Sequence, residues 1–521
     1  MSTLEHRILD FCWRQDPDLA IEAGFIPRPL WESIAPKGIV EEAQQLLTEV
    51  ERSSMNLYEK RSARYHLTCA AYSASKPSIS LLNHMTGPAA RLAWTARSWP
   101  MLSDKDGEAY IERLREFPSY CSALVKSISD QGTLHTCSSV LEAFIDQISA
   151  LDDSDDHGRN LLLLPLIEAR ASGEAVRLPS AAVVDKVLSS LHKLMDVARY
   201  ALRSTHWASP LSRLPGGKER YANAIYFGTS LHLNYNAIQE LGARLLERSE
   251  RRFRELLQSE ASMIDYCPEI DELLSRFEAT YNELYSRLSA VISSVPIMTC
   301  EVVPMPKANA SVGPPAYYGP SSARNNRKGS LYVNIEKPLT TRIWETLPLS
   351  MHEGVPGHHL QLGLLDENEQ IGELNRLLSV NAFTEGWAVY AETLSSNMGL
   401  EVTALDEFGL LAHKRWRASR LMVEIGLHVH GWSVAEATSF ITRNTAQNEM
   451  AAKREVVRYL SWPGQALGYA VGSEAIDRWV NERTQCGESL KKSHQDLLGL
   501  GSIPLSVLIP RDREENGSFW T

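Results

Sequence analysis

The chain has 521 residues, of which 44% are hydrophobic and 22% charged, and it carries a formal net charge of −11. That length suits two or three domains or one large bilobed unit, and the composition is that of an ordinary globular protein. The acidic surplus argues against a nucleic-acid partner, which calls for a basic face, and leaves small molecules and short peptides as expected substrates.

The chain opens with "MSTLEHRILDFCWRQDPD", in which charges recur throughout and no apolar leader core is visible. No apolar run approaches the roughly 18 residues of a membrane span, so no membrane partner is expected. Seven cysteines (Cys12, Cys69, Cys121, Cys137, Cys267, Cys300 and Cys486) are scattered without a Cys-x-x-Cys pair. Such a set predicts reduced thiols and a cytoplasmic location. Nothing in the sequence fixes the oligomeric state.

Most of the first 295 residues read as helix. "SAAVVDKVLSSLHKLMDVARYAL" (Ser180–Leu202) and "AIQELGARLLERSERRFRELLQ" (Ala237–Gln258) place apolar residues three and four apart, the pattern of packing faces. Between residues 152 and 158 the acids Asp152, Asp153, Asp155 and Asp156 precede His157 and Gly158. Without a calcium-loop pattern they read as a solvated loop. Character changes near residue 296, where Pro, Gly, Ser and Asn accumulate and "CEVVPM" and "SLYVNI" predict two short strands. Helical patterns resume to about residue 484, and the tail reads as irregular. The expected organisation is a helical region over 1–295 and a region over 296–521 that holds a small sheet and the chemistry, the two forming one bilobed unit.

"SMHEGVPGHHLQ" (Ser350–Gln361) starts like His-Glu-x-x-His, but the position four after His352 is Pro356. In the uninterrupted motif the two histidines lie about 6 Å apart along the helix and roughly 40° apart around it. On a straight helix His358 would sit about 9 Å along and roughly 120° round, and His359 about 10.5 Å along. Neither pair would share one ion with bonds of about 2.0–2.1 Å. Pro356 removes a donor and clashes with the His352 carbonyl, and Gly357 accepts unusual backbone angles, so the two can loop the chain out. His358 is then the expected second ligand, with His359 the alternative. "NAFTEGWAVYAETL" places Glu385 27 residues after His358, near the start of a helix, as a third ligand. Glu392, seven residues on, can orient a ligand histidine or lie on the surface.

"HEGVPGHHLQ" followed by "FTEGWAVYAE" resembles the bacterial domain-of-unknown-function family 885, whose pattern is His-Glu, two residues, Pro-Gly-His-His and then Glu-Gly-Trp-Ala. "DFCWRQDPDLAIEAGF", "AYYGPSSARNNRKGSLYVN" and "RYLSWPGQALGYAVG" extend the resemblance over most of the chain. The family is regarded as distantly related to glutamate-ligand zinc peptidases of the carboxypeptidase Taq and oligopeptidase kinds. The resemblance implies a mainly helical, bilobed, metallopeptidase-like fold with a deep channel and a small sheet beside the zinc helix. It implies zinc ligated by His352, His358 and Glu385, with Glu353 as general base. Where "RLMVEIGLH" has Glu424, the family pattern has an aspartate. Family members often carry secretion or lipoprotein signals.

A bound zinc would polarise a substrate carbonyl and acidify a water, and Glu353 would move the proton. Tyr469 in "GQALGYAVG" is the first candidate to stabilise the oxyanion, with Arg458 in "VVRYL" the second. If "GSLYVNI" is an edge strand, Tyr332 and Asn334 line the substrate cleft. His428 and His430 in "GLHVHGW" face different ways on a helix, which argues against a second metal and leaves His428 as a substrate contact. "RWRASR" reads as a solvated or ion-paired helix face, one arginine of which can hold a substrate carboxylate. The expected function is zinc-dependent hydrolysis of a peptide or other amide bond in a small substrate. The alternatives are a specialised biosynthetic or detoxifying zinc enzyme acting on a non-peptide amide, ester or imine-like bond, and a non-catalytic binding protein with a structural metal.

Overall fold

The computed structural model describes residues 3–34, 37–75, 81–131, 136–152, 157–203, 211–214, 216–259, 269–305, 314–323, 327–335 and 341–509. Asp153, Asp155, Asp156 and Cys267 lie outside these ranges. Among the described residues the chain is mainly helical and holds one three-stranded sheet. No described helix is long and apolar enough to cross a membrane.

Two compact units emerge, one of Met1–Lys218 with Arg454–Trp462 and one of Glu219–Lys453 with Pro463–Thr521. The division falls at Lys218, not at residue 295 where the composition changes. Packing explains the difference. Helix Tyr235–Ser259 lies along helix Ala404–His428, and helix Ile270–Arg287 lies against strand β1 (Cys300–Pro304), so both belong with the C-terminal half of the chain. The Pro- and Gly-rich stretch marks a sheet inside a unit rather than a boundary between units.

In the first unit, helix Ala181–Leu202 buries Val184, Val187, Leu191, Leu194, Met195 and Ala198. Their spacing makes one apolar face. It packs on helices Asp104–Gln131 and Ser138–Ser149, whose Leu114, Phe117, Leu141 and Phe144 join the same core. The opening "RQDPD" has a structural role here. Asp16 caps the short helix Pro17–Glu22, and Pro17 opens it, where a missing N–H costs nothing. Asp18 receives Arg91 Nε at 2.5 Å and Arg113 Nη2 at 2.6 Å. Arg113 is fully buried with its guanidinium 4.0 Å from the Trp31 ring centre, so Asp18 supplies the countercharge that a buried cation requires.

The sheet of the second unit has the order β1–β3–β2, with β2 at Ala316–Gly319 and β3 at Gly329–Val333. β1 runs parallel to β3, pairing Val302 with Leu331, and β2 runs antiparallel, pairing Tyr318 with Leu331. β3 is therefore the centre of the sheet, and the expectation that "GSLYVNI" forms an edge is corrected. Its residues Gly329, Leu331 and Val333 are buried, so one face of the strand turns to the core. The chain's end also departs from expectation. Helix Leu490–Leu498 forms within the stretch read as irregular, too short for its few apolar positions to show a period.

One helix contact fixes much of the second unit. In helix Asn381–Ala391, Gly386 meets Gly472 of helix Leu467–Gln485 so closely that a Cβ on Gly386 would lie 2.6 Å from the Gly472 backbone. A Cβ on Gly472 would lie 2.0 Å from the Ala382 carbonyl oxygen. Gly472→Ala should therefore force the helices apart and cost about 1–3 kcal/mol, the usual range for overpacking. A fall in the urea unfolding midpoint measures this, and an unchanged midpoint would show that the helices separate freely.

Candidate metal centre

The centre is built around a helix that stops and starts again. Helix Thr346–Leu349 passes into a π-helical turn, Ser350–Gly354, held by the fully buried side chains of Met351 and, just after the turn, Val355. Val355 is extended, the Val355–Pro356 bond is cis, and a new helix, His358–Glu367, begins immediately after Gly357. A Cβ on Gly357 would lie 2.0 Å from the His352 carbonyl oxygen and 2.3 Å from that of Met351. Only glycine fits that approach. Trp387, fully buried on helix Asn381–Ala391, donates its indole N–H to the Pro356 carbonyl at 2.9 Å. The break brings the His352 and His358 rings to 4.8 Å between centres, at 79°.

Glu385, from the same helix as Trp387, completes the cluster. Its Oε2 lies 3.4 Å from His352 Nε2 and 3.7 Å from His358 Nε2, and the three ligand atoms all fall within 4.8 Å of one another. Bonds of about 2.0–2.1 Å in a tetrahedral set imply edges of roughly 3.3 Å, so this donor set fits a divalent cation that accepts two imidazoles and a carboxylate. The three side chains also interact strongly with one another. Burial alone would raise the Glu385 carboxyl, but His352 and His358 hold it well below the ordinary range. Burial lowers His352, yet hydrogen bonds to Glu385 and Glu392 carry it up to about 9.

Around the cluster stands a ring of supporting groups. Glu392 Oε1 lies 2.8 Å from His352 Nδ1, and Arg417, from helix Ala404–His428, donates to both Glu392 oxygens at 2.8 and 3.3 Å. Tyr469, on helix Leu467–Gln485, donates its hydroxyl to Glu385 Oε1 at 2.9 Å, and its ring lies 4.3 Å under the Arg420 guanidinium. Glu353 follows His352 directly and accepts the Tyr318 N–H of β2 at 2.9 Å. Its carboxyl is raised by burial, against the pull of His352 and His358.

The remaining candidates occupy other places. His359 points to the sheet, with Nδ1 2.9 Å from the Tyr318 hydroxyl. That hydroxyl also accepts the Ser321 N–H at 3.0 Å, and burial keeps His359 neutral by pulling it down to about 4. His358 is therefore the histidine grouped with His352 and Glu385. Tyr332 stacks on Tyr317 at 4.7 Å, and Asn334 donates to the Pro314 carbonyl at 3.2 Å. His428 is 1% exposed, stacked 4.9 Å from Tyr221 and 3.5 Å from Glu424. Glu424, fully buried, accepts the Tyr221 hydroxyl at 3.1 Å and the Gly464 N–H at 3.1 Å, tying down the loop that leads to Tyr469. Arg458 belongs to the first unit and pairs with Glu455 at 3.3 Å. In "RWRASR" the arginines are buried rather than solvated, and Arg415 pairs with Glu250 at 2.5 Å. Sequence reasoning missed Arg417 and Tyr318 as parts of the centre. Tyr318 lies in a four-residue strand, too short to show a period, and the spacing of Arg417 does not reveal that its helix face turns inward.

The chain belongs to the bacterial family of unknown function DUF885, which it matches over residues 17–510. Two solved structures share the fold, and both are described as a "putative lipoprotein". One, from Colwellia psychrerythraea, is 20% identical with a TM-score of 0.84, covering 99% of this chain and 98% of its own. The other, from Shewanella oneidensis, is described as of unknown function and is 15% identical with a TM-score of 0.70, covering 97% of this chain and 98% of its own. No curated protein matches the chain.

The grouping of His358, and not His359, yields a direct prediction. Incubated with zinc and desalted, His358→Ala and His352→Ala should each lose the bound metal that wild type retains, while His359→Ala keeps it. Metal analysis by mass spectrometry reads the difference, and equal loss in both position-358 and position-359 variants would refute the assignment.

Proposed function

We propose that this protein is a zinc-dependent hydrolase that cleaves a peptide or other amide bond in a small substrate. The observation that carries the proposal is Glu353, a carboxylate raised by burial and set directly beside a cluster of two imidazoles and a glutamate. A purely structural metal site has no use for such a base beside its ligands, which favours catalysis over a binding protein with a structural metal. Held by His352, His358 and Glu385, zinc would supply a Lewis acid that polarises the scissile carbonyl and makes a water more acidic at neutral pH.

The chain's own groups divide the rest of the work. Glu353 takes the proton of the attacking water and delivers it to the leaving nitrogen, and a raised carboxyl suits both halves of that transfer. Tyr469 turns its hydroxyl from Glu385 to the oxyanion that develops on the substrate carbonyl. Among the described residues β2 pairs with β3 alone, and its Tyr318 N–H already meets Glu353. An extended substrate would thus add its backbone beside β2 rather than β3, within a metallopeptidase-like channel. The cytoplasmic expectation rests on the chain's scattered cysteines, and the solved neighbours' description as lipoproteins favours the cell envelope for them.

Glu353→Gln should retain zinc but lose at least about 10²-fold in turnover, the lower end of what a positioned general base supplies. A substrate found by screening the zinc-loaded protein against a short-peptide library supplies the assay. Tyr469→Phe should lower kcat with little change in KM, since its hydroxyl serves the transition state. Undiminished turnover by Glu353→Gln would remove the proposed base.

A further inference from the structure

The helix Ala404–His428 contributes no ligand to the cluster, yet it presents Arg417 directly behind His352. Arg417 and Glu392 are each only 6% exposed, and their contact is two-pronged: Nη2 to Oε1 at 2.8 Å and Nη1 to Oε2 at 3.3 Å. The same Oε1 meets His352 Nδ1 at 2.8 Å. A carboxylate hung from one imidazole alone would be free to swing about its side-chain bonds. The guanidinium fork removes that freedom, because a planar pair of N–H donors fixes the plane and direction of the carboxylate it grips.

We infer that Arg417 is a positioning residue of the metal centre, which acts through Glu392 to lock the His352 ring with Nε2 aimed at the cation. The charges support the same role. Glu353, Glu385 and Glu392 bring three carboxylates into one buried neighbourhood. A divalent cation would offset two of them, and Arg417 is the guanidinium in direct contact with the third, Glu392, while the buried Arg420 lies over Tyr469. Arg417 also keeps Glu392 engaged on the far side of His352, which prevents that carboxylate from turning inward to become a fourth protein ligand and closing the position a substrate needs. The inference rests on the metal-centre reading and adds to it a residue outside the ligand set.

The test measures zinc dissociation constants by competition with a chromogenic chelator, together with the visible absorption of the cobalt-substituted protein. Arg417→Met should weaken zinc binding about 10–100-fold, the usual effect of losing an outer-shell partner, and change the cobalt bands. Arg417→Lys, which restores the charge but not the fork, should fall between Arg417→Met and wild type. Because Arg417 acts chiefly through Glu392, with its own Nη2 no nearer than 3.4 Å to His352 Nδ1, adding Arg417→Met to Glu392→Gln should weaken binding little further. A purely structural arginine would lower the melting temperature without altering the cobalt spectrum. Zinc affinity within twofold of wild type and unchanged cobalt bands in Arg417→Met would overturn the inference while leaving the metal centre intact. Full additivity in the double variant would overturn it as well. If Arg417→Met fails to fold, Arg417→Lys and Glu392→Gln decide: wild-type affinity and spectrum in both refute the role. Wild type that binds no zinc would refute the metal centre itself, a separate outcome.

Discussion

A straight helix would hold His352 and His358 about 9 Å apart, and the centre depends on how the chain closes that gap. It does so by ending one helix and starting another. The π-helical turn stops at Gly354, the backbone goes extended and cis, and Gly357 slips against the His352 carbonyl where no side chain fits. A loop of this kind leaves a carbonyl without a helical partner, and a buried one must find another donor. Trp387 supplies it at Pro356. The residue that repairs the break therefore sits two positions from Glu385, so repairing the backbone and placing Glu385 beside the two histidines are tasks of one helix.

The price of such a centre is electrostatic, since burying ionised groups without partners costs several kcal/mol each. Here each carboxylate has its own counterpart. Glu385 faces two imidazoles and a tyrosine hydroxyl, Glu392 faces His352 and Arg417, and Glu353 holds a backbone N–H of β2. Burial raises the Glu353 carboxyl, against the pull of His352 and His358. The first unit shows the same rule without the chemistry, in Asp18 between Arg91 and Arg113.

Much of this was legible in the sequence, and the remainder was hidden for physical reasons. Helix periods identified Ala181–Leu202 and Tyr235–Ser259 within two residues of their ends, since long amphipathic stretches declare themselves. The pairing of His352 with His358 followed from the breaking power of Pro356 and Gly357, and Glu385 joined them through what the family resemblance implies. His358 was preferred over His359 from the sequence, but the reason His359 turns away, its contact with Tyr318, is long-range and not encoded in spacing. The unit boundary was misplaced because composition registers loops and strands, whereas a boundary is set by which helices pack together. The order of the sheet was hidden for a related reason: burial of alternate residues in β3 is compatible with an edge until its neighbours are known. The inward turn of Arg417 was invisible because charged residues at helical spacing look alike whichever way they face.

The meeting of Gly386 with Gly472 bears on time as well as space. Two helices in backbone contact slide or part only together with everything packed on them, so the helix that carries Glu385 and the helix that carries Tyr469 behave as one body. The tyrosine hydroxyl can leave the glutamate only by rotation about its own side-chain bonds. Rotations of that kind are far faster than the microsecond-to-millisecond motions of whole domains. A slow rearrangement at this centre would therefore have to move the two helices together, not the Tyr469 side chain alone.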